Sequence, residues 1–308
     1  MSTELGRDGK AKGDRIAGNQ KVALNTVTHY DNDYHSILVS ILRQDLMSSV
    51  ELIAVAGPTG SGKTVWISQF LQDRNRPVFY CCPGAGSGSV DPVRIAYRFP
   101  WVQLIPEHQI QSVLTNLPDQ ALVYFELGFH LDLASPFFAA LPCHRVAVLP
   151  PGLTESDWHD WADEVIPGND ITVPAPDNLP ELWRSSLTGQ VFDPPSLDEL
   201  LIELTGGAYG NAQRVKGIFE LPDGRAFHID FVDGLPGIEY TELNIPRWLE
   251  GRPDRLSGIE VVGWNLKKET IAQTVLDGCL SDDAIAQYQQ QYKALMADET
   301  NPEESVLI

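Results

Sequence analysis

Apolar positions fall into short unbroken runs in the first half of the chain and into alternating runs in the second. The unbroken runs are ELIAVAG (51–57), PVFYCC (77–82), ALVYFEL (121–127) and RVAVLP (145–150). Runs of this length without alternation predict strands buried on both faces, as in a parallel sheet. Between them, VWISQFLQD and PEHQIQSVLTNL predict helices, RFPWVQLI a short strand and PGAGSGSVDP a loop. YHSILVSILRQDL (34–46) places Ile37, Leu38, Ile41, Leu42 and Leu46 at helical spacing. WHDWADEVI (158–166) does the same with Trp158, Trp161, Ala162 and Val165. Strands alternating with helices predict a doubly wound, mostly parallel sheet.

The pattern changes near residue 170. VPAPDNLPELW and VFDPPSLDEL are rich in proline and read as a connector over 176–204. Beyond it, QRVKGIFELPDGRAFHIDFVDG predicts a hairpin turning at Pro222-Asp223-Gly224. Phe227, Ile229 and Phe231 alternate with His228 and Asp230, so one face is apolar and His228 is expected to be exposed. SGIEVVGWNL predicts another strand, ETIAQTVLDGCL a helix, and SDDAIAQYQQQYKAL a closing helix with a capped start. The expected organisation is a disordered tail (1–20), a doubly wound α/β domain (21–175), the connector, a smaller α+β domain (205–292) and a mobile acidic tail (293–308).

Composition narrows the function classes. The 308 residues include 42 Asp and Glu against 22 Lys and Arg, a net charge of −20. The basic residues are scattered, which argues against nucleic acid and anionic membrane surfaces as partners. No apolar run approaches the roughly 20 residues of a membrane span. The polar N-terminal segment lacks the apolar core of a secretory signal. Four cysteines, two of them adjacent, do not form a disulfide framework. These features point to the cytoplasm.

The run Gly57, Pro58, Thr59, Gly60, Ser61, Gly62, Lys63, Thr64 fits G-x-x-x-x-G-K-[ST] and lies between a predicted strand and a predicted helix, the context this motif requires. Its backbone N–H groups would cradle phosphates, Lys63 would reach the β- and γ-phosphates, and Thr64 would ligate Mg²⁺. The competing reading is a glycine-rich turn that binds nothing. Hydrolysis also needs a carboxylate at the end of a neighbouring strand, and Glu126 closes ALVYFEL in that position. Asp132, in the following loop, is a second candidate.

YGNAQRVKGIFELPDGRAFHIDFVDG, RWLEGRPDRLSGIEVVGWNL and TVLDGCL together resemble the C-terminal domain of CobW-like proteins over roughly residues 205–285. The first domain follows the same family's order: phosphate loop, then Glu126 and Gly128, then Leu-Ala-Ser-Pro at 133–136. The resemblance implies a P-loop GTPase of the CobW, HypB and UreG type that manages a metal ion, zinc or cobalt, for a client metalloprotein. The family's Cys-x-Cys-Cys motif is reduced here to Cys81-Cys82, and its guanine-reading Asn-Lys-x-Asp is absent from AVLPPGLTESDW, where Asp157 stands in the wrong frame. The loop from Glu126 to Pro136 is also longer than the family's. GTP is therefore implied by resemblance, and ATP stays open.

Cys81, Cys82 and His130 could supply thiolate and imidazole ligands to Zn²⁺, since all three are expected at the sheet edge that carries the phosphate loop. The competing reading is that the cysteines are core residues. Cys143 and His144 begin their strand at the opposite edge, on the order of 15 Å away at about 3.3 Å per residue. Cys279 reads as core. His29, Asp31, Asp33 and His35 could bind a cation, but a solvated helix start is the plainer reading. The expected function is a nucleotide-binding protein whose slow hydrolysis is coupled to metal handling or partner switching. Two alternatives stand beside it: a non-catalytic interaction protein that keeps the fold, and an ATPase of unrelated task.

Overall fold

Each unbroken apolar run forms a strand. These are β1 (Glu51–Ala56), β2 (Val78–Cys81), β4 (Leu122–Glu126) and β5 (His144–Leu149), joined by the short β3 (Gln103–Leu104) and β6 (Glu164–Pro167). In this computed structural model, which describes residues 50–86, 88–175 and 177–300, they build one parallel sheet in the order β3-β2-β4-β1-β5-β6. The expected tail at 1–20, the helix at 34–46, the His29–His35 cluster and residues 301–308 lie outside the described residues.

Alternation along the central strands sorts side chains onto two buried faces. Val78 and Tyr80 of β2, with Leu122 and Tyr124 of β4, pack under α1 (Lys63–Phe70) and α2 (Val90–Arg98) through Ile67, Leu71, Ile95 and Phe99. Phe79, Cys81, Val123 and Phe125 pack on the other face against α3 (Ile110–Thr115), α4 (Pro136–Ala140) and α5 (Asp157–Trp161). The first turn of helix α2 falls within the expected loop PGAGSGSVDP. The helix expected over 158–166 stops at Trp161. Beyond it Glu164–Pro167 pairs with β5, satisfying backbone groups at the sheet edge while Val165 stays exposed.

A second, antiparallel sheet follows, in the order β10-β9-β8-β11-β7. Its strands are β7 (Glu181–Ser186), β8 (Asn211–Glu220), β9 (Ala226–Val232), β10 (Ile238–Glu242) and β11 (Gly258–Trp264). The β8–β9 hairpin turns at Pro222-Asp223-Gly224 as the sequence predicts, closed by the Leu221 N–H donating to Arg225 O at 2.8 Å. The region 176–204 is not a connector. It holds β7 and most of α6 (Pro194–Thr205), whose N-terminus is capped by Asp193 accepting from Ser196 N. Proline enrichment misled there because Pro194 and Pro195 open a helix, a position where the missing N–H costs nothing. Helix α7 (Lys268–Asp277) lies beside α6, and α8 (Asp282–Thr300) runs through the first part of the expected acidic tail. The architecture is α/β: a doubly wound parallel sheet with a smaller α+β unit.

The second sheet is buried on both faces. Val215, Phe219, Ile229, Ile259 and Val261 meet Leu197, Leu200, Leu201 and Leu204 of α6 and Ile271 and Val275 of α7. The alternate positions include Arg184, Arg214, Lys216, Ile218, His228 and Glu260. Ile218 packs with Val90, Ala226 and Leu243, and the α2 residues Val93 and Tyr97 join that cluster. His228 is 2 % exposed, not solvated, because the first unit covers the face to which alternation assigned it. The backbones come close at this junction: a Cβ on Gly258 would stand 2.5 Å from Gly88 O, and one on Gly88 would stand 2.7 Å from Ser185 C. Gly88, the last glycine of PGAGSGS, thus serves sheet-on-loop contact. Among the described residues no helix is long and apolar enough to cross a membrane.

The apolar core of the second unit centres on Phe219, fully buried edge-to-face with Phe192 at 5.2 Å between ring centroids. Phe219→Ala should cost about 3–5 kcal/mol of stability, read as a lowered urea midpoint.

Candidate functional site

Strand β1 ends at Ala56, and the chain turns through Gly57, Gly60 and Gly62, all at positive φ, into α1. Gly57 has no room for a side chain, since a Cβ there would lie 2.3 Å from Val148 O on β5. Asn169, just beyond β6, fastens the loop: its Nδ2 donates to Gly60 O at 2.7 Å and its backbone N to Ser61 O at 3.0 Å. Lys63 Nζ folds back and donates to Gly57 O and Pro58 O, both at 3.0 Å. Ser61 Oγ is buried with no hydrogen-bond partner among the described residues. Asn169 had no signal of its own in the sequence beyond Gly168-Asn169 following a strand.

Strand register puts Glu126 at this loop, because β4 pairs with β1 so that Glu126 stands beside Val55. Glu126 continues the Leu122–Tyr124 side of its strand and so meets α1. Thr64 Oγ1 donates to Glu126 Oε1 at 2.7 Å and approaches Asp91 Oδ1 at 3.4 Å, while Tyr80 Oη donates to Glu126 Oε2 at 2.8 Å. Burial, with the nearby Asp91 charge, raises the Glu126 carboxyl above the usual range. Asp91 was missed by sequence reasoning because Ser89-Val90-Asp91 looked like loop. It is the first turn of α2, where Pro92 is also tolerated. Asp132, the alternative to Glu126, is exposed and accepts from Ala134 N at 2.9 Å within its own loop.

The second sheet completes the site. Lys216 Nζ forms an ion pair with Asp91 and lies 3.4 Å from Glu260 Oε2. Glu260 Oε1 accepts from Val90 N at 2.7 Å, capping α2 from another sheet. Burial pulls the Lys216 ammonium down, but Asp91 and Glu260 outweigh it and the net shift is upward. Burial would raise Asp91, yet Lys216 and Arg214 hold it well below the usual carboxylate range. Arg184 Nη1 donates to Gly84 O at 3.0 Å, and Arg214 Nη2 to Asp230 Oδ2 at 3.0 Å. Between these groups lies a cavity of about 50 Å³ lined by Lys63, Glu126, Asp91 and the basic residues of the second sheet. Burial lowers Lys63 to about 8, with Glu126 opposing and Arg214 adding to the shift.

The expected zinc ligands are not brought together. Cys81 belongs to the apolar face under α3 and α4, whereas Cys82 turns to the opposite face and lines the cavity with His130. Consecutive residues of an extended strand diverge in this way. Burial raises both thiols above their ordinary value, disfavouring the thiolate. Burial and Arg184 lower His130. Among the described residues no group of three or more His, Cys, Asp and Glu could hold a metal ion. His144 pairs with Glu164 at 3.0 Å, and Asp157 opens α5. Cys143 packs against the first core and Cys279 against the second.

No family model matches the chain, and no curated protein matches it in sequence. Among solved structures it is similar to the Zn(II)-bound YjiA GTPase from E. coli, at 10% identity and a TM-score of 0.27, covering 75% of this chain and 99% of that one. A Zn(II)-bound triple mutant of the YjiA GTPase gives 11% identity, the same TM-score, and coverage of 74% and 98%. A likeness of this depth carries no argument about activity; the fold rests on strand order and the site on its own geometry.

Lys216→Met leaves Asp91 and Glu260 buried without their cation and should cost about 3–5 kcal/mol. Replacing the pair together, Lys216→Met with Asp91→Leu, should cost clearly less than the two single changes added. A double-mutant cycle in urea measures the difference.

Proposed function

We propose that this chain binds a nucleoside triphosphate with Mg²⁺ through residues 57–64 and hydrolyses it slowly. The observation that carries the reading is the meeting, at the N-terminus of α1, of a glycine-turned loop, Lys63, Thr64 and the buried carboxylates Asp91 and Glu126. The loop's N–H groups and the positive end of the helix favour an anion. The orphaned Ser61 Oγ and the Lys63 ammonium, whose hydrogen bonds among the described residues go to loop carbonyls, are donors that a phosphate would engage.

The donors around Thr64 fit Mg²⁺. They are all oxygens, as this hard cation prefers, and the crowding of Glu126 by Asp91 is the kind of excess negative charge that a divalent ion relieves. Thr64, Asp91 and Glu126 would hold it, and when bound it would neutralise charge on the phosphates. Glu126, which accepts from Thr64 and Tyr80, would also orient a water. The resemblance to CobW-like GTPases supports guanine as the base; no side chain at the Asn-Lys-x-Asp position reads it, so adenine competes on equal physical terms.

A second reading, metal handling for a client metalloprotein, rests on the family resemblance: Cys82 and His130 line the cavity, but among the described residues no third His, Cys, Asp or Glu completes a metal site with them. Under this reading Cys82→Ser lowers the zinc stoichiometry of the purified protein measured by metal analysis; unchanged stoichiometry removes it.

The main reading is tested by equilibrium binding of fluorescent Mg-GTP and Mg-ATP. Wild-type protein should bind at least one, and Lys63→Ala should bind neither. A phosphate anion favours the ammonium form, so affinity should be full below pH 8 and fall by about tenfold per unit as pH rises through about 8. Affinity independent of pH across that window would remove Lys63 from the phosphate contact.

A further inference from the structure

Strand alternation gives the second sheet one apolar face, against α6 and α7, and one face carrying Arg184, Arg214 and Lys216. Exposed arginines need no explanation; these are largely buried. The Arg214 side chain is 13 % exposed and the Arg184 side chain 19 %. Lys216 is matched by Asp91 and Glu260. The two arginines are not fully matched. Each Nε is buried without a hydrogen-bond partner among the described residues. Arg184 meets Glu260 only at 3.9 Å. Both side chains line the cavity that Lys63 lines from the other side. Positive charge therefore converges from two sheets on one small space, and Arg214 lowers the Lys63 ammonium by repulsion. Asp91, Glu126 and Glu260 line the same space, but none of them reaches either arginine Nε, and those two buried donors are left for a further anion to engage.

We propose that Arg184 and Arg214 are ligands of the terminal phosphate of the bound triphosphate, supplied in cis by the second sheet to the phosphate loop of the first. The inference rests on the nucleotide reading above and adds to it. Guanidinium groups suit this task because their forked donors match phosphate oxygens. The diphosphate left after hydrolysis lacks the group they hold. Nucleotide state then sets how firmly the second sheet seats on the first, since the other ties across this junction stay the same in both states. Those ties include Val90 N to Glu260, Lys216 to Asp91 and the Gly88–Gly258 approach.

The test compares dissociation constants for a fluorescent non-hydrolysable Mg-triphosphate and the matching Mg-diphosphate, in the wild type, Arg184→Gln, Arg214→Gln and the double variant. The wild type should prefer the triphosphate by at least about tenfold. The double variant should bring that preference to within about threefold, through loss of triphosphate affinity. Each protein is judged by its own ratio, so partial unfolding, which weakens both ligands alike, does not imitate the effect. If Arg214→Gln does not fold, Arg184→Gln decides alone, since it leaves the Arg214–Asp230 pair intact. A preference that survives in the variants overturns this inference and leaves nucleotide binding standing. A wild type that binds neither ligand overturns the nucleotide reading itself.

Discussion

The ion cluster of Asp91, Lys216 and Glu260 is the constraint on which the rest of the structure depends. It joins the first turn of α2 to two strands of the second sheet, all of it away from water. Burying charge is expensive unless each group is paired and hydrogen-bonded. The cluster meets that condition by coupling unlike elements: Lys216 satisfies two carboxylates, and Glu260 satisfies a helix N-terminus as well as Lys216. Moving either sheet by one residue would strand a charge, so the cluster sets register between the sheets more sharply than apolar packing could. The α2 end it caps also carries Asp91 to Thr64. Position of the second sheet and geometry of the 57–64 loop are thereby one problem with one solution.

The lines of sight from sequence to structure were uneven, and the reasons are physical. Strand β1, the loop 57–64 and α1 were legible because their logic is local: an apolar run, glycines at the turn and a motif of fixed spacing. Glu126 was legible because a parallel strand beside β1 must end near the loop. The β8–β9 hairpin was legible from Pro-Asp-Gly and alternation. Asp91, Asn169, Arg184, Arg214 and Lys216 were not, since each acquires its place from a partner at least 16 residues away, such as Asp230 for Arg214, Thr64 for Asp91 and Gly60 for Asn169. His228 shows the limit well. Alternation assigned it correctly to the face opposite Ile229, but alternation cannot say whether a polar face meets water or another sheet. The same gap explains the mistaken connector. Proline content was read as a connector, whereas Pro194 and Pro195 start a helix that covers the second core.

The cysteines make the complementary point. Cys81 and Cys82 look like a pair only while the chain is written as a line. In a strand they face apart, and the sheet between them separates an apolar core from the cavity. The family resemblance drew attention to these residues, and strand geometry leaves only Cys82 beside the site.

The state of Lys63 ties these threads together. Its ammonium is spent on two carbonyls of its own loop, and its pKa has fallen to about 8 under burial. Such an arrangement is a holding position: the carbonyls satisfy hydrogen bonding but carry no full charge to offset burial. Glu126 is in the mirror condition, supplied with hydroxyl donors but raised by burial and by Asp91. A strained cation and a strained anion thus face each other across a space closed by the second sheet. A triphosphate with its metal ion would relieve both at once, the phosphate engaging Lys63 and the cation engaging Glu126 and Asp91.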